Sequence, residues 1–528
     1  MATKPTQRLR GIVERADGGA LMRTRAAFGN WDSPHMGASV VRKEIADWLP
    51  GWGSADADTL PDLAMLTARS RDLIRNHGIA AGAEQTQTDN IVGTGFRLSS
   101  IPDYRALGRD KEWSEEWSTG VESKWRAYAN TREFDAAHCL TFDGLTQQIF
   151  RGGFMNGEAL ALPLWMPSDA TPYSTKFQVI EADRLSNPWG QTNTDRLRGG
   201  IEIDQYGRPL AYWIRKAHPG DVYLGFAPYA AQWDRVPAET AWGRPRVIHV
   251  HDKERSGQNR SKPALSSVLM QFKMFDHYTR TELQAAIVNA MIAAFIETPM
   301  GPDQITEMFG GDVGSPEFAK YMAAKNEYTA PLKGGAIIPV FPGDKLSPFT
   351  PSRPAANFDP FTVSVLRHIA AGLNMPYELL TKDWSRSTYS SARAASLESW
   401  RFFTSRRKWL TEYWCTPAYE IWLEEAVNLG EVEAPGFYEA RYAYSRCKWI
   451  GAGRGWVDPV KEAEAAQVRM GANLSSLEDE CAEQGKDWEE VLEQRAAEFA
   501  RMDQLGLPRP APLGPKPPPG ETEAGMAA

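Results

Sequence analysis

The sequence predicts an α+β protein in which helical parts precede and follow a β-rich part. Apolar residues recur every three or four positions from about 40 to 135, which is the spacing of one helix face. From about 140 to 252 apolar and polar residues alternate instead, which is the spacing of a half-buried strand. The second half then carries two helical patterns far longer than the ~11–12 residues of an average helix.

The first helical part contains three apolar stripes. Its apolar positions are Val41, Ile45, Trp48 and Leu49, then Leu63, Leu66, Leu73 and Ile74, then Trp113, Trp117, Val121 and Trp125. Because stripes of this kind usually face a core, we predict that the tryptophans are buried rather than ligand-binding. Residues 1–40 are polar, glycine-rich and locally basic, which indicates a flexible arm or one that touches a neighbouring subunit.

The β-rich part contains three strand signals. Phe177, Val179 and Ile180 begin a strand, and Val247–Val250 form another short one. Between them, Ile201–Asp204 alternates, a glycine–proline turn follows, and Leu210–Ile214 alternates back, which predicts a β-hairpin.

The first long helix is predicted from about 263 to 297. Ser261 is a candidate N-cap, Pro263 suits the first turn, and no helix breaker follows until Pro299. About 36 residues would make a rod of roughly 54 Å. A rod of that length needs neighbours along all of it, and copies of the chain in an oligomer would supply them.

The remaining segments alternate between loops and helices. Residues 298–355 are rich in glycine and proline and contain one strand-like run, so they predict a small β-containing module. A helix is predicted over 357–373, then a polar loop over Met375–Ser391, then a second long helix to Leu429 that Pro417 interrupts and kinks.

The C-terminal part is predicted to be helical and then disordered. Ser475-x-x-Glu478 and Asp487-x-x-Glu490 have the spacing of capping boxes, and the second would open a helix that ends at Gly506. The proline-rich residues 507–528 are typical of a disordered or polyproline-like tail.

Composition limits the possible functions. The chain has 528 residues, of which 42% are hydrophobic, enough for about three soluble domains. Its 19 tryptophans fit buried domain or subunit contacts, or sugar-binding platforms. A net charge of −8 argues against a protein that grips nucleic acid tightly through its phosphates, but not against one along which DNA slides.

Cysteine usage and hydropathy indicate a soluble protein made in a cytoplasm. Cys139, Cys415, Cys447 and Cys481 are far apart and form no C-x-x-C pair, which predicts a reducing compartment and no zinc site. The most apolar stretch, Ala285–Ile296, is only about a dozen residues long, whereas a membrane span needs about 20.

Few motifs point to chemistry. The chain has no Walker A, H-E-x-x-H or G-x-S-x-G sequence, and Gly451–Gly455 reads as a tight turn. His249 and His251 would share one strand face and could hold an ion, although a structural role is favoured. The carboxylates that could form an acid–base pair, although the solvated face of a sheet is favoured, are Glu181, Asp183, Glu202 and Asp204. We expect no catalytic residues, no metal and no cofactor.

Several segments together resemble the lambda-like family of tailed-bacteriophage portal proteins, over roughly residues 65–505. These segments are Arg75-Asn76 through Gly95, Gly200–Glu202 with Tyr206–Pro209, Val247–Val250 followed by Gly257–Arg260, Tyr389–Arg393, Trp456–Glu462 and Ser476–Glu480. One departure is Ser261-Lys262-Pro263, where such proteins more often carry a glycine before the helix.

The resemblance implies a portal-type fold assembled into a ring, usually of twelve subunits. The implied parts are an N-terminal arm (1–40), a wing (41–260), a first stem helix (261–297), a clip (298–355), a second stem helix (356–374), a tunnel loop (375–391), a kinked wing helix with a return strand (392–470), a crown (471–506) and a tail (507–528). The implied partners are further copies of the chain, sliding double-stranded DNA, the large terminase, a head-completion or adaptor protein, and the capsid and scaffolding proteins, with no membrane.

The sequence therefore predicts a non-enzymatic DNA conduit at one capsid vertex, made in the bacterial cytoplasm. The predicted DNA-facing residues are Lys382, Trp384, Arg386 and Thr388, and the predicted docking residues of the clip are Ile337, Ile338, Phe341 and Asp344. An acidic stem wall would let DNA slide, because a basic wall facing roughly 30 phosphates would hold it. The alternatives are a tryptophan-rich polysaccharide hydrolase or another virion structural protein.

Overall fold

The computed structural model of the chain describes residues 35–225, 227–291, 294–297, 304, 307, 315–327, 345–348, 358–455 and 458–509. Its helices are α1 (Ala55–Thr59), α2 (Leu63–Asn76), α3 (Gly78–Ile91), α4 (Lys111–Ala129), α5 (Phe142–Asn156), α6 (Ala227–Ala230), α7 (Leu269–Met291), α8 (Pro316–Glu327), α9 (Phe358–Gly372), α10 (Tyr377–Thr381), α11 (Tyr389–Leu410), α12 (Thr416–Asn428), α13 (Arg441–Tyr444), α14 (Pro459–Gly471), α15 (Leu477–Glu483) and α16 (Trp488–Leu505). Short 3-10 turns lie at Met36–Ala38, Arg132–Phe134, Ala182–Arg184, Pro188–Gly190 and Pro219–Leu224.

Within the described residues the strands form four antiparallel sheets. They are β1 (Phe96–Ser100), β2 (Glu158–Trp165), β3 (Thr175–Ile180), β4 (Leu197–Arg198), β5 (Ile201–Ile203), β6 (Pro209–Arg215), β7 (Trp233–Pro237), β8 (Ile248–His251), β9 (Ala294–Glu297), β10 (Lys345–Pro348) and β11 (Cys447–Gly451). The sheet orders are β1-β11, β9-β10, β3-β2-β8 and β4-β5-β6-β7. The predicted hairpin is confirmed as β5-β6, where Ile201 pairs with Tyr212 and a bulge shifts the register after Glu202.

The chain divides into two compact units. The first comprises residues 1–67, 84–263 and 400–528, and the second comprises 68–83 and 264–399. Among the residues that the structure describes, no helix is both long enough and apolar enough to span a membrane.

An aromatic cluster forms the centre of the first unit. Trp125 on α4 is 3% exposed, and its ring lies 5.1–6.0 Å from the rings of five other aromatic side chains. These are Phe134, Phe142, Tyr419, Trp422 and Trp449. Edge-to-face contacts of this kind add to the free energy gained by burying the rings. The prediction that the α4 stripe is core is therefore confirmed, and part of the high tryptophan content is structural.

In the second unit, α7 packs against α9. Tyr278 on α7 stacks on Phe358 with ring centroids 5.7 Å apart and meets Phe361 edge-on at 4.9 Å. Phe272 and Ile369 are fully buried. The helix predicted over 357–373 is thus confirmed as α9. In the predicted module, 298–355, β10 is a described strand, whereas the strand-like run predicted at 336–341 lies outside the described residues.

The predicted unbroken rod from 263 to 297 is wrong at both ends. The Ser261 hydroxyl donates to the Asp252 carbonyl at 2.6 Å instead of capping a helix, and residues 264–268 form turns. At the other end, residues 294–297 pair with 345–348, so their backbone groups serve a sheet. The described helix, Leu269–Met291, has 23 residues and spans about 34 Å.

The second long helix is confirmed, but its interruption lies before the predicted position. A π-helical turn at Thr411–Cys415 separates α11 from α12, and the Thr416 N–H donates to the Thr411 carbonyl. Pro417 lies in the first turn of α12. Proline lacks the N–H that would continue the regular ladder, so the ladder shifts in the turn before it.

The helix predicted around Val41–Leu49 is absent, because residues 40–47 form bends and turns. Val41, Trp48 and Leu49 are 67%, 73% and 53% exposed, so a helix there would gain no packing, and short helices depend on packing.

The predicted caps of the last helices are each corrected. Ser476, rather than Ser475, forms the capping box of α15, with Asp479 as its partner. Asp487 does cap α16, but Glu490 contacts Arg97 and Arg126 rather than completing a box.

Candidate nucleic-acid interface

The loop between α9 and α11 contains the residues predicted to face DNA. Lys382 directly follows α10 with a left-handed φ of 60°, and it is exposed. The Asp383 carboxylate accepts hydrogen bonds from the Ser385 hydroxyl at 2.6 Å and from the Ser385 N–H at 3.0 Å. These bonds hold the pKa of Asp383 below its usual value. The loop is therefore a closed turn built on an ionised carboxylate.

Arg386 links this loop to the first turn of α9. Its Nη2 lies 2.5 Å from Asp359 Oδ2, yet the two side chains are 60% and 63% exposed. Water and salt screen such a pair, so it holds the guanidinium only weakly. The Arg386 guanidinium can accordingly exchange the Asp359 carboxylate for another anion, such as a phosphate.

Trp384 and Thr388 differ in availability. The Trp384 side chain is 42% exposed. Thr388 precedes α11, where its N–H donates to the Ser391 hydroxyl at 2.9 Å and its hydroxyl accepts from the Ser391 N–H at 3.3 Å. Thr388 therefore already has a structural role as a helix cap. Among the four predicted residues, Lys382, Trp384 and Arg386 present the accessible groups.

The side chains of α7 do not support an acidic stem wall. Asp276 is 22% exposed and paired with Arg280 at 2.9 Å, and Glu282 is 4% exposed. Lys273 and Arg280 are the exposed charged side chains within the described part of this helix. The predicted docking residues Ile337, Ile338, Phe341 and Asp344 lie outside the described residues.

A buried charge network holds the segment that precedes α7 in the chain. Glu158, at the head of β2, is fully buried and contacts Arg260. Arg260 also donates to the carbonyls of Leu185 at 2.8 Å, Gly199 at 2.6 Å and Ala182 at 3.0 Å. One side chain thus joins β2 to three loop carbonyls around the four-stranded sheet.

Ionisation of Glu158 depends on its partners. Burial by itself raises the pKa of the Glu158 carboxyl, but Arg260 and His249 outweigh burial and lower that pKa to about 2. The sequence did carry a signal for this site. A carboxylate at the head of an apolar strand needs a buried cation, and Arg260 ends the Gly257–Arg260 segment of the family resemblance.

The close approach of two backbones completes this anchor. Gly157 follows α5 with φ +91°, and a Cβ there would lie 2.4 Å from the Ser261 carbonyl oxygen. Asn259, 6% exposed, donates its side-chain amide to Asp56 Oδ2 at 2.6 Å. Residues 257–261 are therefore fixed from several sides, and this hub was missed as a site by sequence reasoning.

His249 and His251 share one face of β8, as predicted, but both have protein partners. Their rings stack with centroids 4.0 Å apart, and both residues are buried. His249 Nε2 lies 2.9 Å from Glu158 Oε2, and His251 Nδ1 lies 3.1 Å from the His249 carbonyl oxygen. Burial, with His249 beside it, lowers the pKa of His251 to about 3. His251 is therefore neutral in the core at ordinary pH.

The four candidate carboxylates are engaged in separate contacts. Glu202 pairs with Arg235 at 2.5 Å, and Asp204 accepts backbone hydrogen bonds within the hairpin turn. Glu181 and Asp183 lie 3.1 and 3.7 Å from His218 Nε2, the one three-ligand grouping in the described part of the chain that could hold a metal.

The tautomer of His218 argues against a metal site at this group. Its Nδ1 accepts the Gly220 N–H at 2.9 Å, which places the ring proton on Nε2. In this tautomer Nε2 carries a proton and is not a metal ligand, and it lies near the two carboxylates without hydrogen-bond geometry to either.

Comparison with known proteins establishes the family. The model of the family described as phage portal protein, lambda family, matches residues 42–407. The portal protein of Escherichia phage N15 is 35% identical over 491 residues, covering 90% of this chain and 92% of its own length. Portal protein B of Escherichia phage lambda is 35% identical over 502 residues, covering 90% and 91%. The chain belongs to the lambda family of phage portal proteins.

A more distant relative and two solved structures are also similar. A probable portal protein of Halomonas phage phiHAP-1 is 24% identical over 466 residues, covering 87% of this chain and 84% of its own length. A chain in the virion of a native gene transfer agent particle is 12% identical with a TM-score of 0.46, covering 85% and 94%. A chain in the neck of an empty gene transfer agent particle, computed with C6 symmetry, is 12% identical with a TM-score of 0.45, covering 89% and 100%.

Proposed function

We propose that the chain is the repeating subunit of a ring, with twelve subunits by family resemblance, through which double-stranded DNA enters and leaves a phage head. Membership of the lambda portal family carries this proposal, because the match at 42–407 spans α7, α9 and the loop between α9 and α11. The subunit acts as a structural conduit with no catalytic step and no cofactor of its own.

The segments take different parts in this proposal. They are the N-terminal arm (1–40), wing (41–260), first stem helix (261–297, with α7 as its described helical part), clip (298–355), second stem helix (356–374, α9), tunnel loop (375–391), interrupted wing helix and return strand (392–470), crown (471–506) and tail (507–528). The clip would receive the large terminase and later a head-completion protein, and the outer surface would meet capsid and scaffolding proteins at one vertex.

The charge balance of the tunnel loop supports sliding rather than tight binding. Its cations are Lys382 and Arg386, and its anions are Glu378 and Asp383, so the formal charges cancel. Proteins with only about 6–10 uncompensated phosphate contacts already bind DNA firmly. A ring of neutral loops offers exchangeable contacts without a net positive collar. This replaces the acidic stem wall as the physical basis for sliding.

An in vitro packaging assay tests the role of the loop. Asp383→Asn keeps an acceptor for the Ser385 N–H but gives every loop a net charge of about +1, so DNA should translocate more slowly. Asp195→Asn is the matched control, because Asp195 is 87% exposed in a loop of the first unit. An unchanged packaging rate for Asp383→Asn, with normal assembly, would remove the loop from the DNA path.

The ring itself is tested independently by electron microscopy of the purified protein. Rings with a central hole support the conduit. Compact monomers under all conditions would contradict it, whereas shells or tubes would indicate another kind of virion component.

A further inference from the structure

The last three helices of the first unit are poorly buried. None of the residues of α14, α15 and α16 is buried. Their exposed apolar side chains include Val460, Val468, Leu477, Leu492 and Leu505. These helices therefore share no apolar core with the rest of the unit, and their attachment must come from other contacts.

Charged groups supply much of that attachment. Arg97 on β1 contacts the Glu490 carboxylate on α16 through both terminal nitrogens. Arg126 on α4 lies 2.8 Å from Glu490 Oε1, and Arg97 Nε lies 3.9 Å from Asp487 Oδ2. We call Arg97, Arg126, Asp487 and Glu490 the ionic latch.

The boundary around the latch is loosely packed. Three cavities of about 320, 500 and 660 Å³ border it. The first is lined by Arg97 and Gly485, the second by Glu122 and Asp487, and the third by Asp487 and Trp488. These cavities are clefts open to solvent, so water reaches the latch between the C-terminal helices and β1 and α4.

A further carboxylate sits beside the latch. Glu122 on α4 is held by the Ser100 N–H, which donates to its Oε1 at 2.6 Å. Asp487, Glu489 and Arg97 lie near enough to act on the charge of Glu122, while the Arg97 guanidinium contacts Glu490. The groups that interact electrostatically with Glu122 are Arg97 on β1, Asp487 and Glu489 at α16, and Tyr419 on α12. The other charged or titratable groups that line the same cavities are Asp103, Tyr104, Arg105, Lys111, Glu115, Arg126, Asp143, Arg446 and Glu478.

We propose that the C-terminal helices are a separately opening body, and that protonation of Glu122 controls the ionic latch that holds α16 on β1 and α4. When Glu122 is neutral, Arg97 interacts with Glu490 and Asp487 alone, and α16 stays docked. When Glu122 ionises, it competes for Arg97 and repels Asp487 and Glu489. The proposal rests on these contacts and does not depend on the ring or on DNA.

The direction of the pH effect follows from the docked state. Burial, with Asp487 and Glu489 nearby, raises the pKa of Glu122 from 4.5 to about 7, although Ser100 and Arg97 act against the rise. In the open state the two α16-side carboxylates leave and water enters, so the pKa of Glu122 falls towards its ordinary value. A raised carboxyl pKa means that docking is favoured below the docked pKa and weakens as pH rises through it.

The size of the effect has an upper bound. If the pKa of Glu122 changes between about 7 and 4.5, the ratio of docked to open molecules falls about tenfold from pH 6 to pH 8. Burial that persists in the open state would make the change smaller.

Amide hydrogen exchange of the full-length protein tests the proposal. Exchange of the α16 amides, corrected for the intrinsic pH dependence of exchange, should become several-fold faster between pH 6 and 8. The amides of α12 should not change, because that helix lies in the core. Glu122→Gln keeps the acceptor for the Ser100 N–H and cannot ionise, so its α16 should stay protected at both pH values.

Two further variants keep the outcome interpretable. Glu116→Gln removes an exposed carboxylate from the same helix and should behave like the unaltered protein. Arg97→Gln should expose α16 at pH 6 while α12 remains protected. The proposal is overturned if the unaltered protein shows equal α16 protection at both pH values, or if Glu122→Gln retains the full pH response.

Discussion

Replacing Arg260 with methionine tests whether the buried charge network anchors the first unit. The change keeps a long side chain but removes the guanidinium that contacts Glu158 and three backbone carbonyls. Glu158 would then be a fully buried carboxylate without its guanidinium partner, with the His249 ring 2.9 Å away.

The expected loss of stability is large. Removing one partner of a buried ion pair costs about 3–5 kcal/mol, because the other charge stays desolvated. The three carbonyls that lose their donor add to this loss. With an unfolding entropy of about 2.1 cal/mol/K per residue, a unit of roughly 380 residues loses about 1.3 °C per kcal/mol, so the melting temperature of the first unit should fall by about 4–6 °C.

Thermal unfolding at fixed protein concentration, followed by tryptophan fluorescence, measures the change. The double variant Glu158→Gln/Arg260→Met contains no unpaired charge, so it should be more stable than Arg260→Met alone. Its recovery separates the effect of the stranded carboxylate from the effect of lost packing.

The pH dependence should reverse in sign. In the unaltered protein the Glu158 pKa is lowered to about 2, so its contribution to stability is present above about 4.5 and is lost as pH falls towards 2. Without Arg260, burial raises that pKa, and the variant should recover stability relative to the unaltered protein as pH falls. A decrease of less than about 1 kcal/mol in the free energy of unfolding of Arg260→Met at neutral pH would refute the reasoning, because a buried unpaired carboxylate destabilises the fold by more than that.

Three further outcomes follow from other parts of the first unit. Trp125→Ala should lower the free energy of unfolding by about 3–5 kcal/mol in denaturant titration, because it empties the centre of the aromatic cluster. Acidification to pH 5 should cost His251→Phe about 2 kcal/mol less free energy of unfolding than it costs the unaltered protein. The reason is that the pKa of His251 is about 3 in the folded chain and about 6.5 in the unfolded chain, so protonation between these values favours unfolding. Gly485→Ala should speed proteolysis of the C-terminal helices more than Gly506→Ala does. Both residues have positive φ, but only at Gly485 would a Cβ meet another backbone, the Gly453 nitrogen at 2.8 Å.

Local patterns predicted the elements whose signals lie close together in the chain. The Trp117–Val121–Trp125 spacing predicted α4 and its buried face, and the alternation on either side of Tyr206–Arg208 predicted the hairpin. Both signals repeat over a few residues, so no distant contact is needed to read them.

The same reasoning failed where distant contacts decide. Ser261 is a residue type that caps helices, but its hydroxyl donates a hydrogen bond to the Asp252 carbonyl. Residues 294–297 continue the helical pattern of the sequence, but they pair with β10 as strand β9. At Val41–Leu49 the spacing was helical, but the apolar side chains are exposed, so packing did not stabilise a helix.

The sequence by itself determined the family, the mixed helix-and-strand class and most of the long elements, because these depend on residue identity and local periodicity. Only the tertiary structure decided which charges are buried and paired. Glu158 with Arg260, and Arg97 with Glu490 at a separation of 393 residues, have no local signature. A charge in the chain has no fixed partner until folding removes water around it, and that desolvation determines which pairs hold the fold together and which carboxylates respond to pH.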